Sequence, residues 1–169
     1  DNSNPLFLRV GNPNLLPSVN HSLSTGFNLF DAANFMNFYS NLSYNYNVNQ
    51  VVYNQSINAN GVVLTKPMNI SGGESYVGYF GFGFPLKKTV STLNINADFN
   101  SAKNPLFLND VLSNTNTNSG NISSRLSFTP SDRITLYLNA QFGLIHSTYD
   151  KSALPEQTIY NNQYGSELN

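Results

Sequence analysis

Ile134-Thr135-Leu136-Tyr137-Leu138-Asn139-Ala140-Gln141-Phe142-Gly143-Leu144 places an apolar side chain at every second position and a polar, aromatic or small residue between. Successive side chains leave a strand on opposite faces, so this beat describes a strand with one apolar side. The same beat recurs upstream. Leu93, Ile95, Ala97 and Phe99 alternate with Thr92, Asn94, Asn96 and Asp98, and Ile122, Ser124, Leu126 and Phe128 with Asn121, Ser123, Arg125 and Ser127. Met36, Phe38, Ser40, Leu42, Tyr44, Tyr46 and Val48 share one parity, as do Tyr76, Gly78, Phe80, Phe82 and Phe84. Leu23, Phe27 and Leu29 do so with His21 and Thr25. Six strands are predicted, near 19–30, 35–48, 74–84, 89–99, 119–128 and 133–146. Most exceed the usual ~5–6 residues. Helical periodicity is hard to find.

The connections alternate too. Short ones near 31–34, 85–88 and 129–132 carry Pro, Asp and Asn suited to tight turns. Long polar segments are expected near 49–73, 100–118 and 147–169. The first holds a hairpin candidate, Asn60-Gly61 between Val51-Val52 and Val62-Val63. Short, long, short, long is an up-and-down meander with one trimmed rim and one elaborated rim. Transmembrane barrels show that asymmetry routinely.

Composition supports the same reading. Of 169 residues only 10% are charged, against roughly 25% in a soluble globular domain. The net charge is −1, and 29 Asn and 20 Ser stand where Lys and Glu are usual. Twelve Phe and ten Tyr are too many for a disordered chain. With no Cys, a disulfide framework and Cys-based metal or redox sites fall away. Eight Lys and Arg in a near-neutral chain give no electrostatic footprint for nucleic acid. No apolar run approaches the ~18 residues of a membrane helix, and the first residues given do not show the basic-then-apolar pattern of a signal peptide, as expected of a chain read as cut from something longer.

A soluble sandwich would charge its outer face and protect its edges. Here the polar rows are Asn, Ser, Thr, Gln and Gly, charged only at Asp98 and Arg125, which suits a hydrated interior. The apolar rows admit Ser40, Ser124 and Gly78, as a lipid-facing wall can. About 9–11 residues tilted near 45° cross the hydrocarbon. Tyr44, Tyr46, Tyr76 and Tyr79 lie toward the long-loop ends, where an interfacial girdle belongs. The expectation is an all-β antiparallel up-and-down meander, a partial transmembrane β-barrel of about six long strands in one unit over residues 1–169. Eight strands are the usual minimum for closure, so the chain is read as a fragment of a larger barrel. Extracted, it would expose two edges and an apolar face and so invite self-association.

Specific residues add a resemblance. Asn4-Pro5-Leu6-Phe7-Leu8-Arg9-Val10-Gly11-Asn12-Pro13-Asn14-Leu15-Leu16-Pro17 resembles the "VGNPNLKPE" segment of TonB-dependent outer-membrane receptors. It is similar above all to Bacteroidetes outer-membrane β-barrel proteins that carry an N-terminal carboxypeptidase-like regulatory domain. Asn60-Gly61-Val62 through Thr65-Lys66-Pro67, and Gly81-Phe82-Gly83-Phe84-Pro85-Leu86-Lys87-Lys88, are similar to stretches that follow that segment. Thr129-Pro130-Ser131-Asp132 resembles the family's short turn before an alternating strand. Leu16 and Ser18 stand where lysine and glutamate are commoner. The resemblance implies part of the later barrel of a 22-stranded transporter, in the bacterial outer membrane. The plug domain, the remaining strands and the box that meets the TonB-type energy-coupling complex would lie outside these residues. The implied cargo is a glycan, iron chelate, vitamin or peptide.

Candidate chemistry is thin. His21 sits on a mostly apolar strand face and His146 at a strand end, without the clustered ligands a zinc site needs. Ser147 adjoins His146, but strand neighbours point to opposite faces, which denies a nucleophile its base. Asp98 and Arg125 are read as a lumenal ion pair ahead of a substrate contact. Asp110 with Asn114, Asn116, Asn118 and Gly120 lacks the bidentate Glu of a calcium loop. The sequons at Asn20, Asn41, Asn54, Asn69 and Asn121 match chance in so Asn-rich a chain. Asn4-Pro5-Leu6-Phe7-Leu8 recurs as Asn104-Pro105-Leu106-Phe107-Leu108, read as two loop segments whose Phe packs at a rim. No catalytic residue, cofactor or metal is expected, and no ligand-binding residue can be chosen. The competing reading is a soluble or surface-attached β-rich adhesin or glycan-binding module. An outer-membrane hydrolase is a distant third.

Overall fold

A computed structural model of the chain describes residues 5–86, 90–108, 110–150 and 155–169. It holds ten strands in one sheet and no helix among those residues. Seven form the wall: β2 (Val19–Asp31), β3 (Met36–Val48), β6 (Gly73–Leu86), β7 (Ser91–Leu108), β8 (Val111–Ser131), β9 (Ile134–Tyr149) and β10 (Gln157–Leu168). Each pairs antiparallel with the next in that order, which is the expected meander. Three shorter strands, β1 (Phe7–Arg9), β4 (Gln50–Ile57) and β5 (Val63–Ile70), stand on one rim.

The register carries every apolar row onto one face. Phe27, Ser40, Phe80, Ala97, Ile122, Phe142 and Asn162 stand side by side across the wall. The row above is Thr25, Leu42, Gly78, Phe99, Gly120, Leu144 and Tyr160. One step higher the same parity turns aromatic and polar: Leu23, Tyr44, Tyr76, Ser101, Asn118, His146 and Thr158. The apolar band therefore has an upper edge. From Leu136 to Leu144 it covers roughly 27 Å of strand at ~3.4 Å per residue, which a ~40° tilt turns into about 20 Å of height.

No second sheet covers this face among the described residues. Leu23, Phe27, Leu138, Phe142 and Leu144 are exposed, and among the described residues Ile70 and Pro105 are the apolar side chains that are buried. The accessible surface is 11495 Å², against about 8,300 Å² for a globular monomer of this mass. A single layer without a core is the reason.

Several expectations need correction. There are ten strands, not about six, and residues 100–118 are no loop. β7 and β8 run on through them, paired from Ser91↔Phe128 to Leu108↔Val111. Alternation is invisible there because Asn, Ser and Thr occupy both faces, yet the backbone ladder needs no apolar row. Residues 147–169 likewise contain the end of β9 and all of β10. The segment 49–73 is the expected hairpin: Asn58 Oδ1 accepts from the amides of Asn60 and Val62 at 2.9 and 3.0 Å, and Gly61 has φ +76°.

At the opposite rim, Asp31 Oδ1 accepts from the amides of Ala33 and Asn34 at 2.9 and 3.2 Å, closing the expected turn. Pro85 and Leu86 belong to β6, and the rest of that expected turn lies outside the described residues. β8 extends to Ser131 with an irregular register after Phe128, so the next turn narrows to Asp132 and Arg133. Both copies of the Pro-Leu-Phe-Leu repeat contribute to strands, β1 and β7, rather than to loops.

Candidate functional site: the polar face and its rim

The opposite parity builds a polar face. Its centre is organised by glycines on β6. Gly81 stands between Tyr39 on β3 and Asn96 on β7. A Cβ on Gly81 would fall inside the Tyr39 ring, so the missing side chain lets that ring lie across β6. The Tyr39 hydroxyl then donates to Asn96 Oδ1 at 2.8 Å and meets the Tyr79 hydroxyl at 3.3 Å. Tyr79 is thus a member of the polar face and not of the girdle, which Tyr44 and Tyr76 make with ring centroids 4.8 Å apart.

Asp98 and Arg125 do not form the expected ion pair. Asp98 is opposite Asn121, whereas Arg125 is opposite Asn94, four residues along β7. Asn121 donates to Asp98 Oδ1 at 3.1 Å. The Arg125 guanidinium lies over the Tyr137 ring, 4.2 Å from its centroid. Between them is a shallow depression whose lining includes Asn96, Ser123, Arg125, Asn139, Gln141 and Gln163. Amides that both donate and accept, one guanidinium and nearby phenols make a surface for hydroxylated or solvated solutes.

The rim is built by asparagines. β4 and β5 leave the wall between Asn49 (φ +54°) and Gly72 (φ +104°), two residues in the left-handed region. Asn49 N donates to Ser71 Oγ at 3.0 Å, and Gly72 N to Asn47 O at 3.2 Å. Asn69 then ties three segments together. Its Nδ2 donates to Leu16 O at 2.9 Å and Asn49 O at 2.6 Å, while its Oδ1 accepts from Leu16 N at 2.6 Å. Asn12 Nδ2 donates to Pro67 O at 3.0 Å, and β1 pairs parallel with β5. The Val10–Gly11–Asn12–Pro13–Asn14–Leu15–Leu16 segment is therefore a strap along β5.

The hairpin is also latched. Asn54, only 6% exposed, donates through Nδ2 to Asp110 Oδ1 and accepts from the Asp110 amide at 3.3 Å through Oδ1. Asp110 (φ +63°) sits at the tip of the β7–β8 hairpin. Asp110 does not gather Asn114, Asn116, Asn118 and Gly120 around it, because these four run away from the tip along one face of β8. Asn114 and Asn116 donate instead to Asp150 at 2.7 and 3.3 Å.

The histidines stand apart. His21 is exposed on the apolar face, and His146 Nδ1 meets Thr158 Oγ1 at 2.9 Å. Ser147 is on the other face beside Thr117. Among the described residues no three His, Asp or Glu side chains come together. The Asn clasps escaped sequence reading: residues more than fifty positions apart meet only once strand register is known.

A model of the outer membrane protein beta-barrel family matches residues 1–168. The chain belongs to that family. This outer-membrane β-barrel protein is accordingly located in the bacterial outer membrane, and the one-sided apolar band is the feature a barrel wall needs. No curated protein and no solved structure matches the barrel chain.

Proposed function

We propose that this barrel protein is part of the wall of a TonB-dependent transporter that imports a nutrient such as a glycan, iron chelate, vitamin or peptide. The observation that carries the reading is the apolar face, in register across seven strands and bounded above by Tyr44, Tyr76 and Ser101. On this reading that face meets lipid and the Tyr39–Asn96 face lines the lumen. The tight turns face the periplasm, and the strapped hairpin stands outside the cell. The chain's own part is a barrier, a hydrated lining and a rim that selects cargo; no bond is made or broken on it. Energy coupling enters through other parts of the protein. The resemblance of residues 4–17 and 81–88 to TonB-dependent receptors supports the transporter class over other barrels.

The test uses the full protein in liposomes, with single Cys substitutions from Ile134 to Leu144 carrying a fluorophore. Quenching by brominated lipid tails is expected on the Leu136, Leu138, Phe142, Leu144 parity alone. Uniform protection would overturn the wall reading. The transporter class is tested in cells: uptake that survives a protonophore or loss of the TonB complex would overturn it.

A further inference from the structure

The tip of the β4–β5 hairpin holds a reactive pair that recurs nowhere else in the chain. Of 29 asparagines, only Asn60 is followed by glycine. Both residues are exposed, at the turn that joins the two strands. Glycine has no side chain to hinder its backbone nitrogen from approaching the carboxamide before it, and it is the residue freest to take the backbone angles such an approach needs. The Asn-Ser steps among the described residues, Asn100-Ser101 and Asn118-Ser119, are placed differently. They lie opposite each other in β7 and β8, and each strand is paired along both edges there.

We propose that Asn60 is a site of spontaneous deamidation, and that its conversion to isoaspartate permanently loosens the hairpin tip. The Gly61 nitrogen gives up its proton and bonds to Asn60 Cγ, while the Cγ–Nδ2 bond breaks and Nδ2 leaves as ammonia. Water then opens the cyclic imide at either carbonyl. One product is aspartate; the other is isoaspartate, with the chain rerouted through the side-chain carboxyl. Nothing is oxidised or reduced, and water is the only co-reactant. The fold controls both the rate and the consequence. Gly61 N donates to Asn58 O at 3.0 Å and must surrender that bond before it can attack. Asn58 Oδ1 also accepts from the amides of Asn60 and Val62 at 2.9 and 3.0 Å, so this clamp has to open first. Isoaspartate inserts one more backbone atom between those two amides, and a single oxygen can no longer hold both. The reaction needs neither cargo nor partner.

The full protein, folded in detergent, is aged in mildly alkaline buffer made with heavy-oxygen water, then digested and mapped by mass spectrometry. Label is expected at Asn60 well before Asn100 or Asn118, with isoaspartate detected by isoaspartyl methyltransferase. Conversion at Asn60 no faster than at those two would overturn the site. Asn58→Ala should speed conversion about fivefold, what one net hydrogen bond is worth. Wild-type hydrogen exchange at the Ala97 amide checks that this variant keeps its wall. An unchanged or slower rate in the folded variant would overturn control by the clamp. The Val62 amide should exchange faster in the converted protein. Asn60→Asp brings the charge without the extra backbone atom and should leave that exchange near the wild-type rate. Equal exchange in the converted protein and Asn60→Asp would overturn the loosening.

Discussion

Tyr39 lies over Gly81 and donates its hydroxyl hydrogen to Asn96 two strands away, at 2.8 Å. One side chain thereby spans three strands on the polar face. In a wall without a core, such cross-strand links replace much of the cohesion that packing gives a globular protein.

Gly81 should therefore tolerate no side chain. Gly81→Ala is expected to displace Tyr39 and cost about 1–3 kcal/mol, as overpacking does. Gly165→Ala is the matched control, because a Cβ there meets nothing within 4 Å. Thermal unfolding of the detergent-solubilised protein should show a lower Tm for the first variant only. Equal values would deny the Gly81 slot any role.

Loss of Asn69 should free the strap. Asn69→Ala removes three hydrogen bonds, each worth about 1 kcal/mol net. Hydrogen exchange at the Leu16 amide should accelerate by at least tenfold, while wall amides such as Ala97 keep wild-type rates. Asn69→Asp keeps the acceptor for Leu16 N and should fall between the two.

Asn54 and Asp110 should behave as one unit. Asn54→Ala and Asp110→Ala are each expected to speed exchange across Gln50–Ile57, and the double variant should add little to either. Additive effects would mean that the two residues hold the hairpin by separate contacts.

The two faces should respond oppositely to charge. Phe142→Arg places a cation near the middle of the apolar band and is expected to cost about 2–4 kcal/mol of membrane stability. Gln141→Arg points to the polar face and should assemble nearly as wild type. Heat-modifiable migration after folding into vesicles reads both. Equal loss from both substitutions would argue against a one-sided wall.

The wall was legible where one row is apolar and the other is not, as in Leu136 to Leu144. It vanished where that contrast vanishes. Ser101, Asn118 and Thr117 look like loop residues, yet they stand in strands whose ladder is made by the backbone. β10 was hidden the same way, because Asn162 and Ser166 interrupt the row of Tyr160, Tyr164 and Leu168. The Asn60-Gly61 turn was legible because its chemistry is local. The clasp at Asn69, the latch at Asn54 and the separation of Asp98 from Arg125 depend on register, which no single strand's sequence contains.

The number of wall strands has a directional consequence. β2 and β10, at the two edges, both run away from the strapped hairpin. A closed ring of antiparallel neighbours needs an even total. Whatever completes a ring around this wall must then bring an odd number of strands, beginning and ending with one that climbs toward the hairpin. Two like-oriented copies meeting edge to edge would have to pair β2 with β10 in parallel, a junction that breaks the alternation of the sheet.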